Sequence, residues 1–68
     1  MTIAHMKMLL RQDADMAAVE EIVAAYDGAK LDSDNYIVYY NAEPQKVSEL
    51  IGELHTFKYS VQITNEAF

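Results

Sequence analysis

Apolar side chains recur along this chain with two different periods, one of two residues and one of three to four. In the first segment, residues 3–12, Ala4, Met6, Met8 and Leu10 occupy every second position. Strict alternation over this length is typical of a strand that buries one face. The chain is therefore expected to begin with an amphipathic strand.

Two later segments also have strand character. Residues 36–40 form an unbroken run of aromatic and β-branched side chains, the residue types enriched in strands. Residues 57–64 alternate Tyr59, Val61 and Ile63 with polar side chains. Both segments are predicted to be strands, the second with one apolar and one polar face.

Two segments show the period of an amphipathic helix instead. Between residues 13 and 27 the apolar stripe consists of Met16, Val19, Ile22, Val23 and Tyr26. Asp13 or Asp15 can cap the N-terminus of this helix, and Gly28 suits the left-handed residue after its last turn. A second helix is predicted to begin at Pro44, with the stripe Val47, Leu50, Ile51 and Leu54.

The order of these elements predicts the fold class. Residues 29–31, followed by the turn-rich cluster Asp32–Asn35, indicate a hairpin with a weak first strand. The order is then β-α-(short β)-β-α-β, and its simplest burial places two helices on one face of an antiparallel sheet, a ferredoxin-like α+β sandwich. If residues 29–31 are loop, the sheet has three strands. We expect residues 1–68 to form one such domain.

This order and length resemble the heavy-metal-associated domains of copper chaperones and metal-transporting ATPases. The similar segments are Val19–Ile22, Ile37–Asn41 with Pro44 after it, and Tyr59–Ile63. The resemblance implies the same βαββαβ fold. That family binds soft metal ions through a Met-x-Cys-x-x-Cys loop before the first helix, whereas Asp15 and Ala18 stand at the cysteine positions here. The resemblance therefore predicts the fold without the family's metal chemistry.

Composition excludes several kinds of site. The chain has no Cys, so disulfides and thiolate metal sites are absent. On a strand His5 points away from Met6 and Met8, which argues against a copper site built from the three side chains. The paired carboxylates lie on predicted solvent faces or at a helix cap, and no glycine-rich phosphate loop or nucleophile motif is present. We predict a protein with no catalytic residues, no metal and no cofactor.

The location follows from similar arguments. No stretch of the chain is apolar over the length of a membrane span, and no signal-peptide pattern is found at the N-terminus. We therefore expect a cytoplasmic protein without a membrane partner.

Charge is distributed unevenly within a formal net charge of −6. Residues 1–12 contain two basic and no acidic residues, +2, while residues 13–68 contain all eleven acids and three lysines, −8. The predicted acidic face, on the helices and their flanks, consists of Asp13, Asp15, Glu20, Glu21, Asp27, Glu49 and Glu53. The predicted open sheet face consists of His5, Lys7, Leu9, Arg11, Tyr36, Val38, Tyr40, Ser60 and Gln62. We expect a two-faced molecule, acidic on its helices and aromatic to mildly basic on its sheet.

Three hypotheses for function follow. The first is a non-enzymatic, acidic protein-binding module that blocks a basic nucleic-acid-binding surface of its partner. In size and charge the chain is similar to phage-encoded antagonists of host defence such as anti-CRISPR proteins, which act in the host cytoplasm. The second is a degenerate metallochaperone-like or ligand-sensing regulatory module that forms a homodimer through the sheet face. The third is direct nucleic-acid binding by that face, which the net charge and the missing aromatic-glycine motif oppose.

Overall fold

The described part of the chain forms one four-stranded antiparallel sheet and two helices. The computed structural model describes residues 2–66. The elements are β1 (Ala4–Leu10), α1 (Met16–Ala24), β2 (Lys30–Asp32), β3 (Ile37–Ala42), α2 (Pro44–Glu53) and β4 (Lys58–Thr64). The strand order is β2-β3-β1-β4, and every pairing is antiparallel. The predicted ferredoxin-like α+β architecture is confirmed, and the weak segment after Gly28 is a strand, displaced by one residue from the predicted 29–31.

Local chemistry accounts for the ends of the helices. Asp15 is the N-cap of α1, and its Oδ1 accepts the backbone N–H groups of Ala17 at 3.1 Å and Ala18 at 3.3 Å. α1 ends earlier than predicted, with Ala25 as its C-cap, so Gly28 does not directly follow the last turn of the helix. Gly28 instead lies in the turn closed by the Ala29 N–H, which donates to the Tyr26 carbonyl at 3.1 Å, and its φ of +87° is a conformation that side chains with a Cβ disfavour. Pro44 is the first residue of α2, where its missing N–H has no intrahelical partner to lose. Of the two predicted caps for α1, the structure uses Asp15.

Neither α1 nor α2 is long and apolar enough to cross a membrane, and they are the two helices of the described part of the chain.

The hydrophobic core lies between the helices and one face of the sheet. Its buried members are Ala4, Met6, Met8, Leu10, Val19, Val23, Val38, Tyr40, Val47, Leu50 and Leu54. The predicted strand face of β1 and the predicted stripes of both helices are thereby confirmed, since the remaining stripe residues Met16, Ile22, Tyr26 and Ile51 pack half-buried against this cluster.

The register between β1 and β3 decides which face of β3 is buried. Met6 lies opposite Tyr40 and Met8 lies opposite Val38. Directly opposed residues share a face of the sheet, so Val38 at 0% exposure and Tyr40 at 4% belong to the core. Their predicted place on the open face is wrong. Both alternate sets of β3 side chains are apolar, so alternation within the strand did not determine its orientation.

Two further residues predicted on the open face lie outside the strands. Tyr36 ends the turn before β3 with a φ of +57°, and its carbonyl accepts the Leu10 N–H at 2.8 Å. Arg11 follows the last residue of β1, and its carbonyl accepts the Ala14 N–H at 3.0 Å, so the chain is already turning there. The predicted first strand, residues 3–12, extended two residues past the end of β1, and the predicted strand 36–40 began one residue before the start of β3.

One strand is left without helical cover. Within residues 2–66 Cα atoms of the helices lie within 8 Å of Cα atoms of β1, β2 and β3, whereas none lies that close to β4, whose Val61 packs half-buried at the margin of the core. Tyr59 and Ile63 of β4 are therefore 77% and 56% exposed, although the alternation of the strand predicts that they share a face with Val61.

Candidate functional site

The outward surface of the helices is strongly acidic. We define the helical layer as residues 15–27 and 43–55. Its acidic side chains are all exposed and are Asp15, Glu20, Glu21, Asp27, Glu43, Glu49 and Glu53. Its one Lys or Arg is Lys46. Six of the seven carboxylates were expected from the sequence, whereas Glu43 was missed although it directly precedes the helix-starting Pro44.

Three of these acids meet at one groove. A groove of about 480 Å³ runs along α2 beside the segment that follows the C-terminal end of α1. Its lining residues, which define the acidic groove, are Ala25, Tyr26, Asp27, Tyr40, Lys46, Glu49 and Glu53. The tertiary structure thus brings Asp27, which follows α1, beside two carboxylates of α2. This proximity across 22 residues of sequence could not be seen in the spacing of the acids.

A tyrosine holds one of these carboxylates in place. The Tyr26 hydroxyl donates a hydrogen bond to Oε2 of Glu53. The ring of Tyr26 also packs edge-to-face on that of Tyr40, with centroids 5.8 Å apart and planes at 79°. The hydrogen bond to the Glu53 carboxylate stabilises the protonated hydroxyl, and burial disfavours the charged tyrosinate. Together they raise the pKa of Tyr26 to about 12. The Glu53 side chain is therefore oriented before any ligand arrives.

The other groove charges form a weak internal pair. Nζ of Lys46 lies 4.0 Å from Oε1 of Glu49, one helical turn away, and both side chains are substantially exposed. Exposed pairs of this kind contribute little to stability. Asp27 has no ion-pair partner among the described residues. The acidic groove therefore keeps a net negative charge that an incoming ammonium or guanidinium group could balance.

The open face of the sheet contains some of the predicted residues and some others. His5, Lys7 and Leu9 of β1 lie on it as predicted, and β3 contributes Tyr39 with Ile37 as its neighbour. The register places Gln62, Lys7, Tyr39 and Lys30 in one row across the four strands. Ser60 and Gln62 of β4 also lie on this face, opposite Leu9 and Lys7. Tyr39 and Lys30 were missed because only the pairing register assigns them to this side.

His5 is engaged by a neighbour on this face. A ring nitrogen of His5, Nδ1, donates to Oδ1 of Asn41 at 2.8 Å, across the directly paired positions of β1 and β3. Within residues 2–66 no three His, Asp or Glu side chains are gathered closely enough to hold a metal ion.

Asp13 does not belong with the other acids. It lies in the turn after β1, where its Oδ2 accepts a hydrogen bond from Nη2 of Arg11 at 3.1 Å. The pair borders a second, open cavity of about 790 Å³ at the end of the sheet, where Tyr36, Tyr59 and Asp34 also lie. The predicted acidic face is therefore divided, with Asp13 separated from the acidic groove.

Fold alone does not identify a function, because one architecture supports many. The functional surfaces of this chain are distinguished instead by burial, charge and the contacts of named side chains. Comparison with known proteins finds no matching family model, no matching curated protein and no matching solved structure.

Proposed function

We propose that this protein is a non-enzymatic binding module whose helical layer docks on a basic surface of a partner protein. The observation that carries the proposal is the grouping of Asp27, Glu49 and Glu53 around one groove. Seven exposed carboxylates and one lysine in the same layer extend the negative surface beyond the groove. Such a surface attracts a positive partner over a distance and orients it before contact.

The acidic groove provides an anchoring point for one basic side chain of the partner. Glu53 is already held by Tyr26, so less side-chain freedom is lost when a cation binds. The tyrosine rings supply apolar surface against which the alkyl stem of a lysine or arginine can lie. Lys46 is the competing internal cation, and its pair with Glu49 is long and exposed enough to be exchanged.

The partner class we infer is a protein whose basic surface binds nucleic acid. On such a basic surface, the carboxylates of the helical layer would take the place of the phosphate groups of nucleic acid. The protein would then act as a competitor of nucleic acid, in the manner of small phage-encoded inhibitors. Because the attraction is electrostatic, the affinity should fall as salt concentration rises.

The binding location is tested with a defined probe. An acetylated arginine-rich peptide is titrated into isotopically labelled protein at low salt, and backbone amide shifts are recorded. We expect the largest shifts around Tyr26, Asp27, Glu49 and Glu53. Shifts spread evenly over all acidic residues, Asp13 and Asp34 included, would contradict a defined anchoring groove.

The partner itself is tested with matched charge variants. The groove variant is Asp27→Lys with Glu49→Lys, which leaves the Tyr26–Glu53 hydrogen bond intact. The control is Asp13→Lys with Asp34→Lys, which changes net charge equally but outside the helical layer. Against a partner captured from cells of the native source, we expect the groove variant to weaken binding about 10- to 100-fold and the control to weaken it far less. Wild type should also displace nucleic acid from that partner; equal losses in both variants would count against the proposal.

A second candidate function, single-stranded nucleic-acid binding, is favoured by one row of the open face. Tyr39 lies between Lys7 and Lys30 across three adjacent strands. An aromatic ring on a sheet can stack a base while flanking lysines contact phosphates. The row offers only two cations within a protein of net charge −6, so we expect weak binding that is detectable at low salt.

Fluorescence polarisation with a short single-stranded RNA tests this candidate. Tyr39→Ala should weaken binding several-fold, because base stacking contributes about 1–3 kcal/mol per base. Tyr36→Ala, in the turn before β3, is the matched control and should leave binding unchanged. Absence of binding by wild type at low salt would remove this candidate.

A further inference from the structure

The two edges of the sheet are unequal. β2 has three residues, and two of them, Lys30 and Asp32, are charged. β4 has seven residues, and its stretch 59–64 contains no charged residue, Pro or Gly. Proteins commonly protect a sheet edge by making the strand short or charged, or by placing proline in it. β2 is protected in this way, whereas β4 is protected only at its first residues, by Lys58 and a bulge at Tyr59, and residues 60–64 carry no such feature.

The unprotected edge coincides with an uncovered apolar face. No strand within residues 2–66 pairs with the outer edge of β4, so that edge presents free backbone N–H and C=O groups. No Cα atom of either helix lies within 8 Å of a Cα atom of the same strand, and Tyr59 and Ile63 are the two most exposed large apolar side chains of the described chain. One strand therefore offers both hydrogen-bonding groups and apolar surface to a partner.

We propose that β4 is a dimerisation edge, on which a second copy of this chain pairs its own β4 in antiparallel orientation. The two sheets then form one continuous eight-stranded sheet about a two-fold axis. This interface is separate from the acidic groove and does not depend on the proposed function.

The position of the axis follows from the regular part of the strand. The pairing of β1 with β4 shifts register where Leu9 faces Ser60 and Leu10 faces Lys58, so Tyr59 is the extra residue of a bulge. The regular stretch is 60–64, and its central residue is Gln62. An axis at Gln62 places Val61 of each copy opposite Ile63 of the other, so the apolar side chains meet.

Charge complementarity favours a second copy as the occupant. Lys58 precedes the regular stretch 60–64 and Glu66 follows it, just beyond the end of β4. In antiparallel pairing the end of one strand that carries Lys58 therefore lies near the end of the other that carries Glu66, which brings opposite charges together at both ends. The Glu66 end is defined by a local turn, in which the Glu66 N–H donates to Oγ1 of Thr64 at 2.7 Å. The helical layers lie over the other three strands, so their like charges are kept away from the axis.

Sedimentation over protein concentrations from about 1 μM to about 1 mM tests the proposal, a range that spans the affinities expected of small interfaces. We expect a concentration-dependent dimer. Ile63→Lys should raise the dimer dissociation constant at least tenfold. Leu9→Lys is the matched control, since Leu9 is a 38% exposed leucine on the open face, and it should leave dimerisation unchanged. A monomer throughout the range would overturn the proposal, as would a dimer lost in Leu9→Lys but kept in Ile63→Lys.

Charge exchange tests the antiparallel arrangement separately. Lys58→Glu and Glu66→Lys should each raise the dissociation constant a few-fold, because each places like charges at both ends of the paired strands. The double variant should restore wild-type dimerisation, since both pairs are rebuilt with opposite polarity. Additive weakening in the double variant would overturn the antiparallel pairing. Circular dichroism of each variant checks that it remains folded.

Discussion

β3 and β4 lie on either side of β1, and they differ in how much of their apolar surface is buried. Val38 and Tyr40 of β3 are buried, whereas Tyr59 and Ile63 of β4 are mostly exposed. The pattern of β4 alternates more cleanly than that of β3, in which nearly every side chain is apolar. The difference shows that alternation predicts a strand face but not its burial, because burial depends on where the helices lie.

Met8 makes this comparison sharp, because it pairs directly with a valine on each side. Val38 faces it from β3 and Val61 faces it from β4. Val38 is fully buried, while Val61 is half-buried at the margin of the core. The two valines thus have the same side chain and the same neighbour, Met8, and differ in how far the surrounding structure buries them.

Tyr40→Ala in β3 should have the largest effect on stability. Removing a large buried aromatic side chain costs about 3–5 kcal/mol of unfolding free energy, which for a small domain is a large part of the total. Ile63→Ala in β4 should cost less than about 1 kcal/mol because more than half of that side chain is already exposed. Urea unfolding followed by circular dichroism measures both. Equal losses would show that Ile63 is buried in solution. If a dimer buries it, the free energy of unfolding would also depend on protein concentration.

The valine pair gives the next largest effect. Val38→Thr places a hydroxyl group in the core, where water cannot hydrogen-bond to it, and should lower the free energy of unfolding by about 1–3 kcal/mol. Val61→Thr leaves the hydroxyl near solvent and should change stability by no more than about 0.5 kcal/mol. Thermal unfolding of the two variants under identical conditions is the measurement. A larger loss of stability in Val61→Thr than in Val38→Thr would contradict the explanation that helix placement decides burial.

Destabilising α1 tests whether the helices account for the burial of the sheet residues beneath them. Asp15→Ala removes the acceptor for the Ala17 and Ala18 N–H groups and should cost about 0.5–2 kcal/mol. Asp15→Asn, which keeps a side-chain acceptor, is the control and should cost less. In hydrogen exchange, amides of α1 and of β2, which α1 contacts, should exchange faster than in wild type. Faster exchange confined to β4 would contradict this account.

The smallest expected effect concerns the tyrosine that packs on Tyr40. The pKa of Tyr26 is raised to about 12, so the folded state holds this proton more tightly than the unfolded chain. The resulting stabilisation is present below the ordinary tyrosine pKa of about 10 and is lost as pH rises through about 12. Glu53→Gln removes the carboxylate and should move one tyrosine transition to lower pH. Alkaline titration of tyrosinate absorbance measures this, and Tyr26→Phe identifies the transition; no change in Glu53→Gln would contradict the assigned cause.

Much of the fold was predictable because each element carries a local signal. The alternation from Ala4 to Leu10 and the stripes through Val19 and Leu50 depend only on the period of the backbone. The candidate site was predictable in part, since six of the seven helical-layer acids follow from the helix positions. The gathering of three of them, Asp27, Glu49 and Glu53, at one groove was not predictable, because Asp27 and Glu53 come together only when the helices pack.

The sequence by itself determined the order of the two helices and the three long strands, the start of α2 at Pro44, the absence of thiol chemistry and the concentration of negative charge on the helices. These properties follow from residue type and from spacing within a single element. The tertiary structure alone decided that Val38 and Tyr40 face the core, that Tyr39 shares a row with Lys7 and Lys30, and that β4 is left uncovered. The physical reason is that strand register and helix placement are set by contacts between elements distant in sequence, which no local pattern contains.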